Sequence, residues 1–258
     1  MHESAPGYDP AAHRRFAVGA LAIFLLVFLA LAWRPSYRAD WLLENALVFL
    51  IVPFLVIGYE RLPLSRLSYA ALLLFLCLHE VGAHYTYAEV PYDRWCEALF
   101  GRTWNELVGW ERNHFDRLVH FSYGVLVTYP VREVFLRVAN ARGFWGYLFP
   151  LLVVMSTSLL FELIEWGAAE LFGGDLGMAY LGTQGDVWDS HKDSLLATTG
   201  SLLASIVIAS VHAGLDRDFT REWNESLRVK HPVPMGEVAI ERMRTNEELD
   251  VRGSDPAR

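Results

Sequence analysis

Cysteine is scarce in this chain. Cys77 and Cys96 are the only two, one inside an apolar run and one in a loop, which rules out a disulfide framework and a metal–thiolate spacing. Clustered basic charge is missing as well. The 22 Lys and Arg are scattered against 30 Asp and Glu, a formal net charge of -8, so nothing points to nucleic acid as a partner. What the chain has in quantity is apolar surface: 53% hydrophobic and 14% aromatic residues, with a mean hydropathy of +0.23. That is too apolar for an ordinary soluble domain of this length.

Run length decides what the apolar residues are for. A hydrocarbon core about 30 Å thick needs roughly 20 residues of helix, each rising about 1.5 Å. Six stretches meet that length: 16–33, 41–59, 67–85, 118–139, 144–171 and 195–211. The first follows Arg14 and Arg15 but is as long as a full span, and no small-residue cleavage site precedes Trp33, so a retained helix is expected rather than a signal peptide. The fold class is all-α: a polytopic helical membrane protein with about six transmembrane helices and a capping outer loop. Residues 1–15 form an N-terminal tail, 16–213 the transmembrane domain and 214–258 a polar tail expected to be partly disordered. In the long loop, Trp95, Leu99, Trp104 and Leu107 recur at helical spacing, as in helices lying at a membrane interface.

An even number of spans puts both termini on one side. Arg14, Arg15, Arg61, Arg66, Arg132, Arg137, Arg142, Arg217 and Arg221 fall on that side, against seven basic residues opposite, four of them in one long loop. The positive-inside rule then expects both termini in the cytoplasm.

On that topology the ionisable groups gather at one membrane boundary. "HEVGAHYTY" ends the third span, "NHFDRLVH" opens the fourth, "FELIEWGAAE" ends the fifth and "GDVWDSHKD" precedes the sixth, while Glu44 opens the second on the same side. Glu80 and His84, Asp116 and His120, and Asp189 and Asp193 are each four apart, and Glu162 and Glu165 three apart, so each pair shares a helix face. Ionisable groups in a span cost roughly 2.5–3.5 kcal/mol each at the centre and usually face a protein interior or a watery cavity. So many carboxylates at one depth repel unless a cation or shared protons intervene.

Carboxylates with imidazoles suit Zn²⁺, Mn²⁺ or Fe, and the expected ligand set is Glu80, His84, Asp116, His120, Glu165 and Asp189, with Glu162 or Asp193 left as general base. "HEVGAH" is not a zincin site, because its histidines are five apart, about 140° round a helix. Arg112, Arg117 and Lys192 at the same rim either neutralise the carboxylates or hold a phosphate or other anionic headgroup. Helix capping by itself accounts for at least one of Asp186, Asp189 and Asp193.

The stretches "LHEVGAHYTYAEVPYD", "RNHFDRLVHFSYG", "FELIEWG" and "GDVWDSHKDSLLATTGS" resemble the YjdF-type bacterial inner-membrane family over residues 41–212. The order of features is more distantly similar to VanZ-like proteins, and by that likeness Asp116, Arg117, His120, Glu162 or Glu165, Asp189 and Asp193 map onto a shared pattern. Where VanZ-like proteins usually carry Asn shortly before a Gly, this chain has Thr198 and Thr199. The resemblance implies a helical inner-membrane protein linked to the cell envelope, and it supplies no reaction.

Three uses of such a cup remain open. One is a metal-dependent enzyme acting on a lipid or lipid-linked substrate, in contact with membrane lipids. A second is a non-catalytic binding module for an envelope or cationic ligand, or a proton-coupled transporter. The third is a polar network that only fixes helix packing. No inverted repeat supports a transport path.

Overall fold

The computed structural model describes residues 8–172, 184–215, 218–230 and 232–253. Among them there is no strand, and the helices are α1 Pro10–Leu31, α2 Arg38–Glu44, α3 Ala46–Gly58, α4 Arg66–Tyr85, α5 Tyr92–Phe100, α6 Trp104–Val108, α7 Phe115–Val138, α8 Trp145–Phe172, α9 Asp189–Leu215, α10 Phe219–Ser226 and α11 Met235–Gly253. The all-α expectation holds. Of the expected tails, residues 1–7, 216–217, 231 and 254–258 lie outside the described residues.

The helix starts follow from their caps. Asp9 accepts from the Ala11 and Ala12 N–H groups at 2.9 and 3.1 Å, and Pro10 fills a first-turn position where no N–H is needed. Ser65 Oγ accepts from the Ser68 N–H at 3.2 Å to open α4. The stretch 41–59, read above as one span, is broken at Asn45 into α2 and α3, which bend by 40°. Asn45 Nδ2 donates to the Trp41 carbonyl at 2.9 Å, the kind of local side-chain bond that competes with a continuing helix.

Helices α1, α4, α8 and α9 are each long and apolar enough to cross a membrane, and the bent α2–α3 pair makes a fifth candidate. The fourth expected span, α7, has 24 residues, enough for about 36 Å, yet it carries Asp116, Arg117, Arg132, Glu133 and Arg137 and is less apolar than the other five. Its position explains the charges. It packs against α9, α4 and α8, so protein rather than lipid covers much of it. The surface is apolar where the interior is polar: Leu26, Leu29, Phe54 and Ile57 are exposed, whereas Asn45, Glu80, Thr128 and Ser201 are fully buried. That inversion of the soluble pattern fits a hydrocarbon solvent.

The tightest seam is between α7 and α9, which run parallel. A Cβ on Gly124 would lie 2.0 Å from the Ala197 carbonyl oxygen, and one on Gly200 would lie 2.3 Å from that of Phe121. Small residues permit this approach, as they do between membrane helices generally. Below the glycines, Thr128 Oγ1 sits 2.6 Å from both the Gly124 carbonyl oxygen and Ser201 Oγ.

Outside the bundle, α5 and α6 end at Gly101 and Gly109, each with positive φ (72° and 73°), and Trp95, Leu99, Trp104 and Leu107 on them are exposed. The tail read as partly disordered is helical over α10 and α11. Helix α10 docks because Trp223 packs on Phe144 and Tyr147, while Glu222 Oε1 and Ser226 Oγ accept from the Gly143 and Phe144 N–H groups at 3.0 Å each.

Gly200→Val drives a side chain into the α7 backbone and is expected to cost at least about 1–3 kcal/mol, the usual range for overpacking, seen as a lower melting temperature in detergent. Gly19→Ala, with nothing within 4 Å of the added carbon, is expected to leave it unchanged.

Candidate functional site

The first turns of α7 and α9 start at the same end of the bundle, and α8 returns between them. Asp116 and His120 stand one turn apart on α7, with His120 Nε2 3.5 Å from Asp116 Oδ1. Glu162 of α8 brings Oε1 to 3.4 Å from the same Nε2. Asp193 of α9 completes the group: one ligand atom each from Asp116, His120 and Asp193 lie within 4.8 Å of one another. His120, Glu162 and Asp193 are buried, at 8%, 6% and 2% exposure, so little bulk water screens them.

Two oxygens in this cup, Glu162 Oε1 and Asp193 Oδ1, are buried without a hydrogen bond of normal geometry among the described residues. Such an oxygen costs roughly 1–3 kcal/mol if it stays unpaired. Glu165 lies within electrostatic reach of Glu162, Asp116 and Asp193, and Glu44 within reach of Asp116 and Glu162. Chemically the cup is rich in acceptors and poor in donors, the composition that takes up a cation or protons.

Above it lies a layer of ion pairs. Arg117 Nη2 reaches Asp186 Oδ2 at 2.7 Å and Asp189 Oδ1 at 3.2 Å, Arg112 bonds Asp189, and Lys192 Nζ meets Asp186 Oδ2 at 2.6 Å. Asp189, expected as a cation ligand, has its Oδ1 engaged by both guanidinium groups. The Lys192 ammonium and then the Trp188 N–H hold the Asp186 carboxyl down to about 2. Burial, helped by the charges of Arg117 and Arg112, pushes His114 below the usual imidazole value, and its Nδ1 sits 3.1 Å from Arg117 Nη1.

The structure brings Asp116, His120, Glu162 and Asp193 together and sets Glu165 beside them. It places two of the expected ligands elsewhere. His84 Nδ1 lies 2.5 Å from the Leu31 carbonyl oxygen, where it takes up a free carbonyl at the end of α1. Glu80 is fully buried next to Asn45 at the α2–α3 break, without closing a hydrogen bond of normal geometry. His79, the neighbour of Glu80 on α4, has its Nδ1 2.5 Å from Tyr87 Oη, and Tyr87 lies within electrostatic reach of Asp116 and Glu165. One residue along a helix is about 100° of rotation, and sequence spacing fixes which residues share a face but not where the face points. Sequence reading also missed Asn45, which stands at the α2–α3 break, and Tyr87, the partner of His79. For Asn45 the only signal was a polar residue inside an apolar run, and Tyr87, beyond the end of its run, gave none.

A family model described as predicted membrane protein (DUF2238) matches residues 16–214. The chain is 36% identical over 183 residues to the inner membrane protein YjdF of Escherichia coli (strain K12), covering 70% of this chain and 83% of that protein. No solved structure matches.

Because the Asp186 carboxyl is lowered in the folded chain, the stability it contributes is present above its unfolded value near 4 and is lost as pH falls toward about 2. Asp186→Asn is therefore expected to melt a few degrees below the parent at pH 6, with the gap closing below pH 4. Parallel melting curves across pH 3–7 check this.

Proposed function

The chain belongs to the DUF2238 family of membrane proteins, and on that premise we propose that it is a multi-pass inner-membrane metalloprotein whose cup of Asp116, His120 and Asp193 binds a divalent cation for chemistry on a lipid or lipid-linked substrate. The name of the Escherichia coli relative supports the inner membrane as its location. Both termini then lie in the cytoplasm, by the distribution of basic residues, and the cup faces the opposite side.

One observation carries the reading: two carboxylates and an imidazole from two parallel helices converge within 4.8 Å. Buried oxygens of Asp193 and Glu162 also close no hydrogen bond of normal geometry among the described residues. Two oxygens and one nitrogen suit Zn²⁺, Mn²⁺ or Fe²⁺, and a fourth position stays open to water or substrate. Such an ion polarises a phosphoryl or carbonyl oxygen or makes bound water a nucleophile. Glu162 orients His120 and is placed to take a proton at its Oε1. Glu165 and Glu44 add negative charge beside the cation, and Asp189 ties the cup to its roof.

That roof supports a lipid-linked substrate. Arg112, Arg117 and Lys192 share the two carboxylates Asp186 and Asp189, so an anionic headgroup arriving at the rim finds cations that can exchange partners. On α8, exposed Leu159, Leu160 and Leu163 flank Glu162 and offer an apolar approach for the attached chain. Glu80 and His84, placed away from the trio, act in packing.

A second reading, a VanZ-like binding module or a proton-coupled carrier, draws on the α7–α9 seam. It stays polar past the glycines through Thr128 and Ser201 to buried Arg132, whose Nη2 is 3.2 Å from His212 Nδ1.

Elemental analysis of detergent-purified protein is expected to find stoichiometric metal in the parent and none in the Asp116→Ala/His120→Ala variant. Glu162→Gln is expected to keep the metal with affinity lowered about 10–100-fold, the usual effect of losing a group that orients a ligand. A parent chain that neither carries nor takes up Zn²⁺, Mn²⁺ or Fe²⁺ overturns the metal reading. Proton-coupled uptake in proteoliposomes from such a chain would favour the carrier.

A further inference from the structure

At the end of the bundle remote from the cup, α1, α3 and α4 splay to leave a crevice. It holds a cavity of about 210 Å³ whose lining changes character along its length. One end is polar, with Arg14, Tyr59, Glu60 and Tyr69, and from there the walls are apolar to Phe24 and Leu76. Phe24 and Leu76 belong to the buried cluster with Val48 that closes the far end. Val18 and Val56 on the two lips are more than half and half exposed, at 57% and 50%, so the slot opens sideways on the lipid-facing surface.

Three features select the occupant. The first is size: whole small-ligand sites run to roughly 300–1,000 Å³, so this cavity takes part of a molecule whose remainder lies outside. The second is length. From Arg14 to Phe24 is ten residues of α1, about 15 Å at 1.5 Å per residue, which is half of a hydrocarbon core about 30 Å thick. A slot of that depth fits one acyl chain of one leaflet. The third is charge. Arg14 meets Glu60 only at 4.0 Å, with side chains 70% and 76% exposed, a pair too loose and too solvated to hold its guanidinium against a better anion. A phosphodiester accepts two parallel N–H bonds from such a group.

We propose that the α1–α3–α4 crevice is a binding site for an anionic glycerophospholipid, with one acyl chain between α1 and α3 and the headgroup phosphate on Arg14. The site is separate from the cup and stands whatever the cup does. It also accounts for the splay: α1 and α4 pack directly on each other, and the lipid chain fills the gap that α3 leaves. Bound lipid adds stability to the native fold in proportion to its occupancy.

The test uses the full chain in detergent, delipidated and then supplied with dioleoyl phosphatidylglycerol or with dioleoylglycerol, which has the chains and no phosphate. Native mass spectrometry and thermal melts give the two readouts. Phosphatidylglycerol is expected to be retained and to raise the melting temperature, and dioleoylglycerol to do neither. Arg14→Gln, at an exposed position that leaves the fold alone, is expected to weaken retention roughly tenfold, the loss of about 1.4 kcal/mol. Leu73→Trp, which fills the slot, is expected to abolish retention while the protein still melts cooperatively. Equal retention of both lipids, or phosphatidylglycerol binding unchanged in Arg14→Gln, overturns the proposal.

Discussion

The approach of α7 to α9 at Gly124 and Gly200 sets the geometry of everything polar in the bundle. His120 lies one turn before Gly124 and Asp193 two turns before Gly200 on parallel helices, so a backbone contact too close for any Cβ holds the two side chains side by side at the same depth. At that depth one ligand atom each from Asp116, His120 and Asp193 fall within 4.8 Å of one another. The same contact aligns Arg117 with Asp189 above and Thr128 with Ser201 below.

The second constraint is solvation. Charges on α7 are tolerable only because α4, α8 and α9 cover it and supply partners: Asp189 for Arg117, Glu162 for His120, His212 for Arg132. Glu133 does the reverse service for α4. Its carboxylate accepts from the Ser65 N–H at 2.8 and 2.9 Å and from Ser68 Oγ at 2.6 Å, which satisfies groups at the start of that helix. The polar residues of α7 therefore locate its neighbours as well as binding to one another.

Much of this was legible in the sequence. Apolar run length located the long helices, because the membrane thickness imposes it, although Pro10–Leu31 and Asp189–Leu215 each begin six residues before the apolar run does, and i,i+4 spacing gave Asp116 with His120 as neighbours. The facing of α4 was not legible. Glu80 and His84 share a face, but packing against α1 and α2 turns it toward Leu31 and Asn45. The break at Asn45 was hidden because a single amide inside an apolar run carries no boundary signal. Docking of α10 rests on Phe219 and Trp223 one turn apart, a pattern too short to stand out in a charged tail. The role of Gly124 and Gly200 needed two helices in view at once, since neither glycine belongs to a motif along its own chain.

The central place of α7 also bears on the order in which the chain can enter a membrane. Helix α7 is made before α8 and α9, yet it is too charged to rest in lipid by itself, and the partners of Arg117 and Arg132 lie on or beside the last long helix. Until Asp189–Leu215 has emerged, α7 has to wait at the insertion machinery or against α4. Stable insertion of the middle of the chain is thus delayed to the end of the bundle's synthesis, and a chain stopped before α9 lacks both a settled topology and a cup.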